Sequence, residues 1–321
     1  MNRYLKLISF AFIFALITAC GEKPLDNNDD VPPPTSLDPE YQEAPSLSIL
    51  FIGNSFTQDA VNHLPGLLKA AGIKTVHMVD MYYGGRLIQQ YNTGWETSKD
   101  YTMYECKPGK DSWTATKGKS LAEVAASREW DIVTFQEHTG SKYAWTWNAE
   151  AKGHFTKLMA KMTATQKEKP EYYYILSQAY QDNGEIGQGS QSSITWTDHV
   201  GMWSVISAFA QNVMKDIPFD GIMSTGAMLE NLRTTSVNND KGLSRDGFHM
   251  DYGLARYGAS CVLFETLISP VFDVKLDKNS YRFSKTGEGY TPVTDENAPI
   301  ALEAARNAIK KPFEITDMSN K

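Results

Sequence analysis

The clearest pattern in the chain is Ile49-Leu-Phe-Ile52, a continuous apolar run of the kind that a strand buried on both faces requires. It stops at Gly53-Asn54-Ser55, and a helical pattern follows, with Leu64, Leu67, Leu68 and Ala71 on one side and Gly72 at the expected C-cap. Thr75 to Val79 reads as a second strand, followed by the tight-turn sequence Tyr82-Tyr-Gly-Gly-Arg86. From Tyr91 to Lys119 the periodicity breaks up, which predicts an inserted hairpin or loop. A short helix is expected over Leu121–Arg128, and a third strand over Trp130–Phe135 that ends in Gln136-Glu137-His138. The aromatic loop Lys142–Trp147 leads to a long helix capped by Asn148 and reaching about Gln166. A fourth strand (Tyr172–Leu176), a polar loop (Gln181–Ser193), a helix (Trp196–Lys215) and a short fifth strand (Gly221–Ser224) follow. Ser244 to His249 forms a loop before a helix expected from Asp251 to about Leu267, and Ala298–Ile309 reads as a further helix.

Strands that alternate with helices predict an α/β fold with a parallel sheet covered on both faces. Right-handed crossovers leave few topologies. The economical expectation is a flavodoxin-like three-layer sandwich with a five-stranded parallel sheet in the order 2-1-3-4-5. Its switch point lies between strands one and three, beside their carboxyl ends, where ligands bind in such sheets. Ser55 and Gln136 fall at those two ends.

The chain has 321 residues, of which 41% are hydrophobic and 21% charged, an ordinary composition for one large domain. Its net charge of −7 argues against nucleic acid as a partner. The N-terminus stands apart. Arg3 and Lys6 precede an apolar stretch, Leu7–Ile17, that is too short to span a bilayer and reads as an export leader. It ends in Ile17-Thr-Ala-Cys-Gly21, similar to a bacterial lipobox in which Cys20 is lipidated and becomes the first mature residue. The expected layout is a signal peptide over 1–19, an acidic, proline-rich flexible tether over 20–44, and one domain over 45–321. The expected location is therefore outside the cytoplasm, on the periplasmic or cell-surface side of a membrane that the lipid anchor holds. Cys106 and Cys261 can pair in an exported protein, but Cys261 lies on an apolar helical face and reads more readily as core packing.

A serine on a turn between a buried strand and a helix is either a nucleophile presented to a crevice or a plain N-cap. A nucleophilic serine needs a base, and the base needs an orienting group. Asp246-Gly-Phe-His249 supplies both on one loop, although such a pair also makes local salt links and caps.

Taken together, Gly53-Asn-Ser-Phe56 after the first strand and Asp246-x-x-His249 before a late helix resemble the SGNH, or GDSL-type, hydrolase superfamily, over roughly residues 47–267. The resemblance implies an SGNH hydrolase fold and a catalytic set of Ser55, Asp246 and His249. It also implies an oxyanion hole built from the N–H of Ser55, the N–H of a glycine after the second strand (Gly84 or Gly85, with Gly85 preferred), and a third-block amide. That block is usually Gly-x-Asn-Asp, whereas this chain has Phe135-Gln-Glu-His138. Gln136 carries the same amide on a longer stem, and carbohydrate-esterase branches carry a Gln-Gly-Glu variant, so Gln136 is the expected donor.

The implied function is a serine esterase that removes ester groups, O-acetyl above all, from carbohydrate, through an acyl-enzyme and with no metal or cofactor. The alternative is a noncatalytic glycan-binding surface lipoprotein that keeps the fold, and the intact serine, aspartate and histidine argue against it. His138 either lines the site or is a hydrogen-bonded structural histidine, and Glu137 reads as a buried polar link. Trp145 and Trp147 form either a sugar-stacking platform or ordinary loop packing. Arg86 meets either an anionic substrate group or a surface carboxylate. The remaining histidines show no paired ligand spacing.

Overall fold

The computed structural model describes residues 45–140, 146–182 and 198–321. The leader, Cys20, the tether, Trp145 and most of the polar loop after Gln181 lie outside the described residues. The strands are β1 (Leu47–Gly53), β2 (Val76–Tyr82), β3 (Thr102–Cys106), β4 (Thr114–Lys117), β5 (Ile132–Gln136), β6 (Glu171–Leu176) and β7 (Gly221–Ser224). The helices are α1 (Ser55–Val61), α2 (Leu64–Ala70), α3 (Ile88–Thr93), α4 (Leu121–Ala125), α5 (Ala149–Ala164), α6 (His199–Asp216), α7 (Thr225–Arg233), α8 (Leu254–Leu263), α9 (Ser269–Phe272) and α10 (Ala298–Lys310).

The sheet runs β4-β3-β2-β1-β5-β6-β7. Every residue of β1 is buried, and the strand pairs in parallel with β2 on one side and β5 on the other. The parallel strands β2-β1-β5-β6-β7 therefore follow the expected 2-1-3-4-5 order. The expected count of five is corrected to seven, because β3 and β4 form an antiparallel hairpin that pairs onto β2. These strands come from the stretch with no periodicity. All of β4 is exposed and most of β3 is half-buried, so no apolar alternation marks them. Their strand character comes from backbone pairing to the otherwise open edge of β2.

The chain leaves β1 in one direction to reach β2 and travels the other way through β5, β6 and β7. Right-handed crossovers then place the two groups of helices on opposite faces. α1, α7, α8 and α10 pack together, and α3 packs on α5. The single helix expected after Ser55 is two, because the chain breaks at Asn62-His63 and α2 restarts with Pro65 in its first turn. His63 fills that break. It donates its backbone N–H to Ser260 Oγ at 3.1 Å, and its ring lies 2.8 Å from the Tyr281 hydroxyl and 3.0 Å from the Tyr252 carbonyl. Burial lowers its pKa to about 4, so the ring is neutral. The helix expected from Asp251 to Leu267 begins instead at Leu254 and passes into a π-helical turn at Phe264–Ile268. Cys106 and Cys261 are both free and buried, and burial raises both thiols' pKa values, Cys106 to about 11.

Candidate active site

β1 ends at Gly53 and α1 begins two residues later, so Ser55 sits at the carboxyl end of the central strand. Asn54 takes the capping role. Its Oδ1 accepts the Phe56 N–H at 3.0 Å, and its Nδ2 donates to the Arg86 carbonyl at 3.1 Å. Ser55 is then the first helical residue, and its hydroxyl is free for another partner. That partner is His249, whose Nε2 lies 2.7 Å from Ser55 Oγ. The other ring nitrogen, Nδ1, is 2.7 Å from Asp246 Oδ2. The structure thus brings Ser55, His249 and Asp246 into one hydrogen-bonded line.

The Asp246 loop is built to hold that line. Asp246 Oδ1 accepts the backbone N–H groups of His249 (2.9 Å) and Phe248 (3.3 Å), closing a tight turn that Gly247 completes at φ +97°. Burial alone would raise the Asp246 carboxyl. The hydrogen bonds from the His249 ring and backbone outweigh it and lower the pKa to about 2, so Asp246 is ionised throughout the neutral range. Gln178 Nε2 donates to the Phe248 carbonyl at 2.9 Å, and Ser244 Oγ donates to the His249 carbonyl at 2.9 Å.

Sequence reading missed the clamp beneath this loop. Asp59 on α1 is fully buried. It accepts Arg245 (2.9 Å) and two nitrogens of Arg256 (2.9 and 2.6 Å) through Oδ1, and the Met250 N–H (3.1 Å) through Oδ2. α1 and the loop that carries Asp246 and His249 are thereby tied by one carboxylate. The signal was available, because Asp59 lies four residues after Ser55 and Arg245 adjoins Asp246.

Gln136 does a structural job. It is fully buried, and its Oε1 accepts the Asn54 N–H at 3.0 Å and the Thr57 hydroxyl at 3.1 Å. Those two donors determine which end of the amide faces them. Its Nε2 donates to the Glu137 carbonyl. Oε1 thus straps β5 to the turn that carries Ser55, and one of the two Nε2 N–H groups is taken by the Glu137 carbonyl. Gly53 makes the strap feasible, since a Cβ there would lie 2.0 Å from Thr57 Oγ1 and 2.7 Å from Gln136 Oε1.

Gly85 is the third residue of the Tyr83–Arg86 turn at φ +67°, and it is exposed. The turn follows directly on β2, whose Tyr82 pairs with Gly53, and its Arg86 carbonyl holds Asn54. Arg86 itself pairs with Asp100 through two bonds of 3.2 Å and lies over the Tyr83 and Tyr101 rings, so its charge serves a local ion pair. Glu137 is buried and accepts the His138 N–H at 2.7 Å, and burial pushes its carboxyl up to about 8. The His138 ring lies 5.4 Å from Phe56, and the His249 ring lies 5.6 Å from the same residue. Trp147, a candidate sugar platform, is half-buried against Phe155 and Phe209, and its Nε1 donates to Asp216 at 2.9 Å; it packs α5 against α6. Among the described residues, no group of three His, Cys, Asp or Glu side chains comes together to hold a metal ion.

The molecule is a doubly wound α/β domain with a serine, a histidine and an aspartate aligned at the carboxyl ends of its central strands. The chain belongs to the family described as "Domain of unknown function (DUF4886)", which matches residues 48–307. The crystal structure of a DUF4886 family protein from Bacteroides uniformis ATCC 8492 shares the fold, with 21% identity over 85% of this chain and 98% of that chain and a TM-score of 0.68. Two other solved structures overlap more loosely. A carbohydrate acetylesterase family member from Sinorhizobium meliloti is 15% identical over 71% of this chain and 100% of that chain, with a TM-score of 0.41. A GDSL-like lipase from Bacteroides thetaiotaomicron VPI-5482 is 12% identical over 70% of this chain and 87% of that chain, with a TM-score of 0.36. Likeness at that level carries no argument about activity. No functionally curated protein matches the chain.

Proposed function

We propose that this protein is a serine ester hydrolase of the SGNH type that works through an acyl-enzyme on Ser55. The observation that carries the reading is the unbroken line from Ser55 Oγ through the His249 ring to Asp246, with both links at 2.7 Å. In the first half-reaction Ser55 Oγ attacks the ester carbonyl while His249 Nε2 takes its proton. Asp246 holds Nδ1–H and stabilises the imidazolium. The carbonyl oxygen becomes an oxyanion, and the N–H groups of Ser55 and Gly85 are its proposed backbone donors. Collapse expels the alcohol, which leaves with the proton from Nε2. Water then attacks the acyl-enzyme, gives its proton to His249, and returns Ser55 as the acid departs.

The substrate class that fits best is an O-acetylated carbohydrate. Tyr83 supports this, because its ring is exposed beside the Gly84-Gly85 turn and is backed by the Arg86 guanidinium at 4.2 Å, offering a flat apolar face to a sugar. The leader and Cys20 support export and lipid anchoring, which would bring the domain to extracytoplasmic glycans. The test is hydrolysis of p-nitrophenyl acetate, butyrate and octanoate by residues 45–321, wild type beside Ser55→Ala. Turnover of acetate that falls by about 10⁶-fold in kcat in the variant supports the reading. Retained turnover in Ser55→Ala would sink it.

A further inference from the structure

With Gln136 buried and engaged in the scaffold, the loop after β5 presents a further donor. His138 Nδ1 lies 3.0 Å from the backbone N–H of Gly140. A backbone N–H can only donate, so Nδ1 must carry its lone pair there, and the one proton of a neutral imidazole must sit on Nε2. Burial, aided by the neighbouring charge of His249, lowers the ring's pKa to about 4 and keeps it neutral wherever an ester hydrolase works. Besides the Gly140 N–H, the contact seen for the ring is with its own backbone carbonyl, and no side chain among the described residues is hydrogen-bonded to it. The backbone on either side is also committed, because the His138 N–H donates to the Glu137 carboxyl at 2.7 Å.

The ring's place follows from Phe56, the residue next to the nucleophile. Phe56 holds the His138 ring at 5.4 Å and the His249 ring at 5.6 Å, so the two imidazoles flank the residue that adjoins Ser55. Gly140 is what permits the arrangement. A Cβ there would lie 2.8 Å from His138 Cε1 and 2.7 Å from the Tyr180 hydroxyl, displacing the N–H that sets the tautomer.

We infer that His138 is a catalytic residue, whose Nε2–H donates to the substrate's carbonyl oxygen as that oxygen becomes an oxyanion. This rests on the serine-esterase reading and adds a side-chain donor from the loop after β5 to the hole. The proton stays on Nε2 throughout, so the ring acts as a fixed donor and His249 alone carries protons. A neutral imidazole suits the task, since a cation beside His249 would oppose formation of the imidazolium.

The experiment compares p-nitrophenyl acetate kinetics of the wild type with His138→Phe, His138→Asn and Gly140→Ala, with thermal unfolding measured on each. His138→Phe keeps an aromatic ring against Phe56 and lacks the donor. Its kcat should fall about 10²–10³-fold, the loss typical of one oxyanion donor, with KM within about twofold. His138→Asn restores an N–H donor and should recover at least about tenfold of that loss, and Gly140→Ala should fall between the two. In parallel, ¹⁵N-histidine NMR of the unliganded protein should show His138 as the Nε2–H tautomer, without titration down to about pH 5. A His138→Phe variant with wild-type kcat, or with only KM raised, would overturn the assignment while leaving Ser55 chemistry standing. A Nδ1–H tautomer would overturn it too. Turnover untouched by Ser55→Ala would instead remove the esterase reading, and the donor role with it.

Discussion

The loop that carries Asp246 and His249 is fastened by charge, whereas the loop from Gln136 to Gly140 is fastened by neutral and buried groups. In the first, one buried carboxylate, Asp59, gathers two guanidinium groups and a backbone N–H, and Asp246 keeps 39% of its side chain open to water. In the second, amide, imidazole and backbone groups bond to each other, and the carboxyl of Glu137 is pushed toward its protonated form. On the proposed mechanism, the difference follows from what each loop would have to do. A base that gains a proton needs a stable anion beside it, so its loop is organised around ionised carboxylates. A donor that must not change protonation state is better held where burial suppresses charge.

The comparison can be broken most sharply at Asp246. Asp246→Asn should lower kcat by about 10⁴-fold, because an amide fixes the wrong histidine tautomer, while thermal stability changes little. A variant that keeps more than about a tenth of wild-type kcat would show that the ionised partner is dispensable.

Asp59→Ala tests the clamp itself. Removing the shared carboxylate leaves Arg245 and Arg256 buried without their partner, with an expected loss of about 3–5 kcal/mol in urea unfolding. Turnover should fall as well, since the Met250 N–H also loses its acceptor. Unchanged unfolding would mean that the two arginines find other partners and that charge does not hold the loop.

Glu137→Gln sharpens the other side. Burial raises the native carboxyl from 4.5 to about 8, so between those values the native state keeps a proton that the unfolded chain has lost. Stability therefore falls as pH rises from about 4.5 to about 8 and levels off above. The loss is on the order of 5 kcal/mol, from roughly 1.4 kcal/mol per pKa unit between 4.5 and about 8. The glutamine variant keeps one acceptor oxygen, which can take the His138 N–H while its NH2 faces the Ile88 N–H, and it should unfold with a flatter pH profile over that range. Identical slopes for wild type and variant in unfolding at pH 5, 6.5 and 8 would exclude Glu137 as their source.

Much of the scaffold was legible beforehand because its signals are local. A strand buried on both faces must be apolar throughout, so Ile49 to Ile52 announced the sheet's centre without knowledge of its neighbours. Strand–helix alternation then restricted the order of the parallel strands, and the Ser55 and Asp246-to-His249 blocks fell where that order brings them together. Asn148 and Gly72 behaved as helix punctuation for the same local reason. The hairpin of β3 and β4 was not legible as strands, since pairing to an open edge needs backbone groups and no apolar pattern.

The identity of the groups beside Ser55 was likewise beyond a linear reading. The family resemblance could nominate Gln136 as an amide donor, yet only the packed structure decides where each end of that amide points. The nucleophile turn offers an N–H and a hydroxyl at the right distance, and they take Oε1. Trp147 was open between sugar platform and packing until Asp216 and two phenylalanines closed over it. Asp59 and Arg245 each adjoin a candidate block, but their pairing was hidden because they lie almost two hundred positions apart, and a buried charge declares its role only through its partners. Periodicity and turn chemistry, which act over a few residues, were settled by the sequence alone. The orientation of each polar side chain in the site, which depends on donors and acceptors brought from distant elements, was decided by the tertiary fold.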